Sequence, residues 1–408
     1  MDSAFLKCFP NASSLTTGGN LLRSKYSTKN IYFTNSYASK VSEHRRKTQQ
    51  YNFWRVEQPT LNHHYKCIEG GSTNKECNRK YVVKGIPGPS SNFEPHAFDP
   101  KNIFDSVKYF LITFYKFSIP HASFTRILST ISASFLVVEK LSDISPLFFI
   151  GLLQAMIPFS FVEIYVNSLN QLFDIEIDKI NKPYLPLASG EISFTTGIIV
   201  VASCLTLSIY FGWIIGSWPL IWGILICLFL WTAYSINVPL LRWKKHPLLA
   251  AMCMFVTWGF IFPTSIFFHM QTFVFKKPTI FPRSLIFNMV FVSIFFVGMA
   301  LCKDIPDIEG DKAFGIYSLP ARIGPKRVFW ISVSLFETAF GVALLMGATS
   351  SSSLWIKIVT GLGHSVLASI LWYKAKSVDL RCNASIASFY LFIWKLLSVE
   401  YFFIPLIR

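Results

Sequence analysis

Nine apolar segments, each about 18–24 residues long, follow one another from about residue 120 to the end of the chain. They lie near 121–139, 147–168, 194–214, 217–237, 248–269, 284–302, 327–347, 354–373 and 384–405. A helix of this length crosses the roughly 30 Å hydrocarbon core of a bilayer. The segments lack the period-two alternation of membrane β-strands. The sequence therefore predicts an all-α membrane protein with about nine transmembrane helices.

The overall composition agrees with a chain that lies in lipid. Hydrophobic residues make up 52% of the sequence and charged residues 15%, whereas a soluble protein carries about 25% charged residues. The net charge of +16 is spread over the N-terminal region and short loops, so we predict no nucleic-acid partner. The eight cysteines are scattered without a C-x-x-C pair, which argues against a zinc site or a disulfide framework.

The N-terminal region has the composition of a targeting sequence. Residues 1–50 contain eight lysines and arginines, eight serines and only two acidic residues. This is typical of an organelle transit peptide, and the abundance of serine favours a plastid, although an ordinary polar tail would have a similar composition. We predict a transit peptide at 1–45, a polar linker at 46–100 and a transmembrane domain at 101–408.

Basic residues in the predicted loops orient the helices. The loops on the side of the N-terminal tail contain thirteen lysines and arginines, and the opposite loops contain four. By the positive-inside rule, the richer side faces the compartment from which the protein is inserted. For a plastid membrane protein, that compartment is the stroma.

Two acidic sequences follow two of the predicted helices on this richer side. The first, at 170–179, reads NQLFDIEIDK, and the second, at 303–312, reads KDIPDIEGDK. The shared pattern D-I-E-x-D-K makes them copies of an internal repeat. Because four apolar segments separate the copies, both reach the same side of the membrane. A parallel repeat of this kind can bring both acidic sequences to one cavity.

Helical continuation of both sequences would place their acids on helix faces. Asn170, Asp174 and Asp178 then share one face, and Asp307 and Asp311 share another. Carboxylates that converge near a bilayer repel one another and are costly to desolvate. Mg²⁺ removes this cost, since it binds one or two carboxylates and takes further oxygens from water or phosphate. Each acidic sequence taken alone could instead be a solvated turn between helices.

A basic stretch at 234–245, YSINVPLLRWKK, ends the fourth apolar segment on the same side. Arg242 and one of the lysines that follow it could donate hydrogen bonds to phosphate oxygens. A cluster of positive charge that merely stops membrane insertion would have the same appearance.

The two acidic sequences resemble the motifs of the UbiA superfamily of intramembrane aromatic prenyltransferases. The match is N-Q-x-x-D-x-x-x-D at 170–178 and K-D-x-x-D-x-x-G-D at 303–311, and similarity extends from about residue 105 to the end. The stretches 182–191 and 303–315 resemble the plant plastid branch, which includes homogentisate and legume flavonoid prenyltransferases. The resemblance implies a UbiA-type fold of nine transmembrane helices around a central cavity.

The resemblance also implies a Mg²⁺-dependent transfer of a prenyl group from a prenyl diphosphate to an aromatic ring carbon. The implied catalytic residues are Asn170, Asp174, Asp178, Asp307 and Asp311. The implied metal ligands are Asp174, Asp178, Asp304, Asp307 and Asp311. The candidate diphosphate ligands are Lys179, Lys182, Arg242 and Lys303. Partners are then a prenyl diphosphate, a phenolic acceptor and membrane lipid.

One departure from the plant pattern bears on the acceptor. The branch usually carries F-S-R-P-H-T, whereas residues 117–122 read FSIPHA. Loss of an arginine and a hydroxyl group favours a less polar acceptor, and we predict dimethylallyl transfer to a flavonoid or isoflavonoid. The alternatives are homogentisate, as in tocopherol and plastoquinone biosynthesis, and a coumarin or pterocarpan acceptor. An ion-coupled transporter is the alternative from another class, although transporters often show inverted repeats, and an inert membrane anchor is a third.

Overall fold

The computed structural model describes residues 103–408, and this part of the chain is helical without a β-strand. Its helices are α1 (Ile103–Phe117), α2 (Pro120–Phe135), α3 (Pro146–Asn181), α4 (Pro186–Ser189), α5 (Phe194–Ile215), α6 (Trp218–Ser235), α7 (Pro247–Met254), α8 (Phe262–Phe268), α9 (Arg283–Lys303), α10 (Ile308–Ala313), α11 (Leu319–Ile323), α12 (Pro325–Thr349), α13 (Leu354–Lys376) and α14 (Asn383–Phe403). The predicted transit peptide and linker lie outside the described residues.

Eight spans of the described region are long and apolar enough to cross a membrane. One of them, Pro247–Val274, is composed of α7, α8 and the two π-helical segments Phe255–Ile261 and His269–Val274. The remaining seven are α3, α5, α6, α9, α12, α13 and α14, the last of which is prolonged to Leu406. The prediction of an all-α membrane protein is confirmed.

The first predicted segment, 121–139, forms the shorter helix α2. It has 16 residues, and its buried face carries polar side chains such as Thr125, Arg126 and Ser129. α2 nevertheless packs against α3, α8 and α14 and so belongs to the bundle. The described helices therefore agree with the predicted count of about nine, although the first of them does not have the length of a full span.

Outer and inner faces of the bundle both carry large apolar side chains. Trp213, Phe229 and Leu345 are mostly exposed on the outside, where lipid replaces water as the surrounding medium. Inside the bundle, α9 is the most enclosed of the spans and packs against α12 and the first π-helical segment. The second acidic sequence therefore begins at the end of a central helix.

α3 is much longer than its apolar segment. It contains 36 residues and extends roughly 54 Å at 1.5 Å per residue, whereas the apolar run predicted for it covers only 147–168. The last turns of α3 carry the first acidic sequence beyond this apolar run. Asn170, Asp174 and Asp178 thus lie on a continuous helix.

Candidate active site

The first acidic sequence presents its carboxylates on an enclosed face of α3. Asp174 and Asp178 are one helical turn apart, and both are buried. Glu176, between them in the sequence, is largely exposed. The helical period therefore separates the acids that face the interior from the acid that faces outward.

The second acidic sequence is interrupted, unlike the first. α9 ends at Lys303, the chain turns through residues 304–307, and the short helix α10 begins at Ile308. Pro306 explains this break, because it has no backbone N–H and disfavours a helical conformation at the residue before it. The N–H of Asp311 still donates to the carbonyl oxygen of Asp307 at 3.0 Å. The expected spacing of one helical turn therefore holds for Asp307 and Asp311, although α9 does not continue into them as was expected from the sequence.

Both acidic sequences line a single pocket. Its polar lining includes Asn170, Asp174, Asp178, Asp304, Asp307 and Asp311, together with the basic residues Lys182, Lys244 and Lys303. Two sequences separated by 133 positions thus contribute to one site. Of the candidate residues, only Lys179 and Arg242 are absent from this lining, and Arg242 contacts the lining through Asp174.

A side-chain amide joins the two acidic sequences. Asn181, the last residue of α3, donates from Nδ2 to the carbonyl oxygen of Asp307 at 3.0 Å, and its Oδ1 accepts from the N–H of Gly310 at 2.9 Å. A Cβ atom at position 310 would lie 2.4 Å from that Oδ1, which explains why glycine stands there. Sequence reasoning missed Asn181, and the glycine of the second motif was the signal for a close approach.

Basic side chains pair with the aspartates. Arg242 Nη2 lies 3.3 Å from Asp174 Oδ1, and Lys244 binds the other oxygen of the same carboxylate. Lys182 forms the corresponding ion pair with Asp307. Lys244 is the lysine of the basic stretch that approaches the acids, a choice that the sequence left open.

Lys179 lies outside this site. It follows Asp178 directly, so it is rotated by about 100° around the helix axis, and it forms an exposed 2.8 Å ion pair with Glu176. The prediction that Lys179 contacts a diphosphate therefore finds no support in the geometry, whereas Lys182, one turn beyond Asp178, lies in the pocket.

Lys303 connects the pocket to an aromatic side chain. Its Nζ donates to the hydroxyl oxygen of Tyr234 at 3.1 Å and lies 3.8 Å from Asp304 Oδ1. Tyr234 is buried near the end of α6 and also lines the pocket. The sequence contains 16 tyrosines, and none of its patterns distinguished this one.

Burial and charge perturb the ionisable groups beyond the spans. Burial raises the pKa of Asp304 to about 6, against the opposing effect of Lys303. Burial also raises the pKa of Asp311 to about 7, with a further contribution from Asp304 and Asp307. Burial lowers the pKa of Lys182, but its neighbouring carboxylates outweigh this effect and hold the pKa above its ordinary value. Burial therefore disfavours the charged forms of Asp304 and Asp311, and a bound cation would offset this effect.

The oxygen atoms of this pocket fit a hard cation. Among residues 103–408, no three His, Cys, Asp or Glu side chains come close enough to surround one metal ion. Mg²⁺ does not require such a cage, since it commonly binds one or two carboxylates and takes its other oxygens from water and substrate phosphate. The Oδ1 atom of Asn170 is buried without a hydrogen-bond partner in the described part of the chain, so it is available as such a ligand. A thiolate-binding metal does not fit this donor set.

Comparisons with known proteins agree with the motifs. Residues 127–396 match the UbiA prenyltransferase family. The chain is 58% identical to glycinol 4-dimethylallyltransferase of Glycine max, with 98% of each chain covered. It is 53% identical to the chloroplastic naringenin 8-dimethylallyltransferase 2 of Sophora flavescens, again with 98% of each covered. Identity to the chloroplastic homogentisate phytyltransferase 1 of Arabidopsis thaliana is 51%, over 77% of this chain and 80% of that protein.

Proposed function

This chain belongs to the UbiA prenyltransferase family, and we propose that it transfers a dimethylallyl group to a ring carbon of a flavonoid or isoflavonoid phenol. The donor is dimethylallyl diphosphate, and the reaction requires Mg²⁺. The observation that carries the proposal is the single pocket lined by both acidic sequences and three lysines. A diphosphate with bound Mg²⁺ satisfies both signs of charge in this pocket.

The relatives support the acceptor and the donor of this proposal. The two that match over nearly the whole chain are named as dimethylallyltransferases acting on glycinol and naringenin. The homogentisate phytyltransferase matches over a shorter part and at lower identity. Residues 117–122 lack the arginine and the hydroxyl group of the usual plant pattern, which also favours a less polar acceptor than homogentisate. Homogentisate is therefore the second candidate acceptor.

The basic residues of the pocket bind and orient the diphosphate. Lys182, Lys244 and Arg242 already lie against carboxylates, and each can donate hydrogen bonds to phosphate oxygens. Mg²⁺ held by Asn170, Asp174, Asp178, Asp304, Asp307 and Asp311 would supply the charge that stabilises the leaving diphosphate. Lys179 lies outside the pocket and has no part in this step.

The reaction breaks the bond between the allylic carbon and the diphosphate oxygen. The electron pair of that bond leaves with the diphosphate, and the allylic carbon becomes cationic. The buried ring of Tyr234, which lines the pocket, can stabilise this cation through its π face. A ring carbon of the phenol supplies the electron pair of the new carbon–carbon bond. The ring then loses a proton to the diphosphate or to water, which restores aromaticity.

We propose that the enzyme is a multi-pass protein of the plastid membrane whose acidic pocket faces the stroma. The chloroplastic names of two relatives support the organelle, and the excess of basic residues in the loops on the pocket side supports the orientation. Residues 1–45 then act as the transit peptide.

The proposal is tested with membranes that contain the full chain, dimethylallyl diphosphate, Mg²⁺ and a panel of phenols. The panel contains homogentisate, flavanones, isoflavones, pterocarpans and coumarins, and mass spectrometry identifies the products. We expect a flavonoid or isoflavonoid product with one dimethylallyl group, released with one equivalent of diphosphate. Homogentisate as the sole acceptor would contradict the proposed substrate class.

Two controls separate the other functional classes. Excess EDTA should abolish product formation, and added Mg²⁺ should restore it. Full activity in EDTA would contradict the metal requirement. Solute flux across sealed vesicles without diphosphate release would instead indicate a transporter, and absence of both activities would indicate a membrane anchor.

A further inference from the structure

A row of aromatic side chains leads from the acidic pocket into the bundle. It begins at Tyr234, whose ring centroid is 4.9 Å from that of Trp231. Trp231 lies 5.5 Å from Trp258, and Trp258 lies 6.3 Å from Phe296. These residues belong to α6, the first π-helical segment and α9. The row therefore starts at the proposed diphosphate site and extends away from it between the helices.

Two polar atoms at the start of this row have no hydrogen-bond partner among residues 103–408. The indole Nε1 of Trp231 and the hydroxyl of Ser235 are both buried without a hydrogen bond to any described residue. Trp231 is 4% exposed and Ser235 1%. Residues four apart share a face of a helix, so these atoms lie one turn apart on the same face of α6. Tyr234, between them in the sequence, lines the acidic pocket.

An unpaired buried donor requires an explanation. A buried tryptophan N–H usually has a hydrogen-bond partner, and leaving it unpaired costs the free energy of its lost hydration. Neither lipid nor a prenyl chain can accept a hydrogen bond from it. An N–H donor and a hydroxyl that can donate or accept match the hydroxyl and carbonyl oxygens of a polyphenol.

We propose that the face of α6 formed by Trp231 and Ser235 binds the phenolic acceptor, with the indole N–H donating to an acceptor oxygen. This inference rests on the proposed function. The reacting carbons must approach within about 3–3.5 Å, so the acceptor has to lie beside the donor's allylic carbon. Tyr234 lines the acidic pocket and contacts Trp231, which places the face of α6 next to that carbon.

At the far end of the row, Arg126 lies over the rings of Trp258 and Phe296 and is already paired with Glu163. The guanidinium carbon of Arg126 lies 3.4 Å from the centroid of the Trp258 ring, and its Nε lies 3.3 Å from Glu163 Oε2. Asn167 donates to the other oxygen of Glu163 at 3.2 Å. The carboxylate is thus already paired on both oxygens. The Nε1 of Trp394, whose ring lies 6.0 Å from Phe296 at this end of the row, is also buried without a partner among the described residues, but only the groups on α6 lie beside a residue that lines the acidic pocket.

The test is Trp231→Phe, which keeps an aromatic ring and removes the N–H. Initial rates in membranes give KM for the acceptor and for dimethylallyl diphosphate. We expect acceptor KM to rise about fivefold to tenfold, the value of one neutral hydrogen bond, with donor KM unchanged. The matched control is Trp218→Phe, because Trp218 is also on α6 but is 64% exposed. This control should leave both constants unchanged.

A second variant and a stability measurement make the result decisive. Ser235→Ala should raise acceptor KM in the same direction. Thermal unfolding of Ser235→Ala without acceptor should show little loss of stability, since the Ser235 hydroxyl has no hydrogen-bond partner among residues 103–408. Unchanged acceptor KM in both variants, or an equal rise in donor KM, would overturn this inference. Failure of the unmodified enzyme with every acceptor would instead overturn the proposed function.

Discussion

The side-chain amide of Asn181 holds the backbone of Gly310 at 2.9 Å. The same amide donates to the carbonyl oxygen of Asp307 at 3.0 Å. The last residue of α3 is thus hydrogen-bonded to two backbone groups at the start of α10, one just before the helix and one in its first turn. Any displacement of α10 from α3 breaks two hydrogen bonds, so the two sets of aspartates keep a defined separation.

Replacement of Gly310 should test this connection. In Gly310→Ala the new Cβ would meet Asn181 Oδ1 at 2.4 Å, so α10 or the amide must move. We expect kcat/KM for the donor to fall about 10-fold to 100-fold and the free energy of unfolding to fall by about 1–3 kcal/mol. Steady-state kinetics and thermal unfolding measure these effects. Gly341→Ala is the control, since a Cβ added at position 341 would meet no neighbouring side chain of the described residues within 4 Å, and it should leave activity unchanged. Normal donor kinetics in Gly310→Ala would refute a role for the connection.

Removal of one pocket carboxylate should separate catalysis from folding. Asp178 is buried in the pocket beside Asp174 and Asp307, so Asp178→Asn removes a charge that its neighbours repel. We expect kcat to fall at least about 100-fold, a typical loss for a group that stabilises transition-state charge, while the amount of folded protein is unchanged. Glu176 lies on the exposed face of the same helix, so Glu176→Gln is the control and should retain full activity. Equal loss of activity and folded protein in Asp178→Asn would indicate a structural role.

The Mg²⁺ requirement should depend on pH. Burial raises the pKa of Asp304 to about 6 and that of Asp311 to about 7, so protons compete with Mg²⁺ for both groups in this range. The half-saturating Mg²⁺ concentration should rise as pH falls from 8 through 7 to 6, and it should be nearly constant above pH 8. Rates measured over a Mg²⁺ series at each pH test this. A Mg²⁺ requirement independent of pH would show that these carboxylates do not bind the ion.

The N-terminal region should act as a targeting sequence and should not contribute to catalysis. Deletion of residues 1–45 should leave kcat and both KM values unchanged in isolated membranes, because all the acidic and basic residues assigned to the proposed site lie between 170 and 311. In plant cells, a fluorescent fusion of the shortened chain should no longer enter plastids. Plastid location of the shortened protein would contradict the prediction of a transit peptide.

Local patterns in the sequence predicted the helices and one half of the site. The 3.6-residue period placed Asp174 and Asp178 on one face of α3 because that helix continues without interruption. The same reasoning did not anticipate the break at Asp304, although Pro306 was visible in the sequence. A repeated motif suggests a repeated conformation, but a proline in one copy only makes the two backbones differ.

Contacts between distant elements were beyond sequence reasoning. Nothing in the basic stretch distinguished Lys244 from Lys245, since the choice depends on how residues 242–245 fold against α3. Tyr234 and Trp231 were likewise hidden among many aromatic residues of an apolar chain. Their positions depend on the packing of α6 against its neighbours, and no periodicity within α6 reveals that packing.

The length of α3 has a consequence for the traffic of substrates and products. Its acidic turns extend beyond its apolar run, while the aromatic row lies between membrane-spanning helices. Under the proposed function, the enzyme works at the boundary between water and lipid. The released pyrophosphate diffuses into the aqueous compartment. The alkylated phenol is more hydrophobic than its precursor, so it partitions laterally into the bilayer. Opposite exits for the two products would then oppose reversal of the reaction without any moving gate.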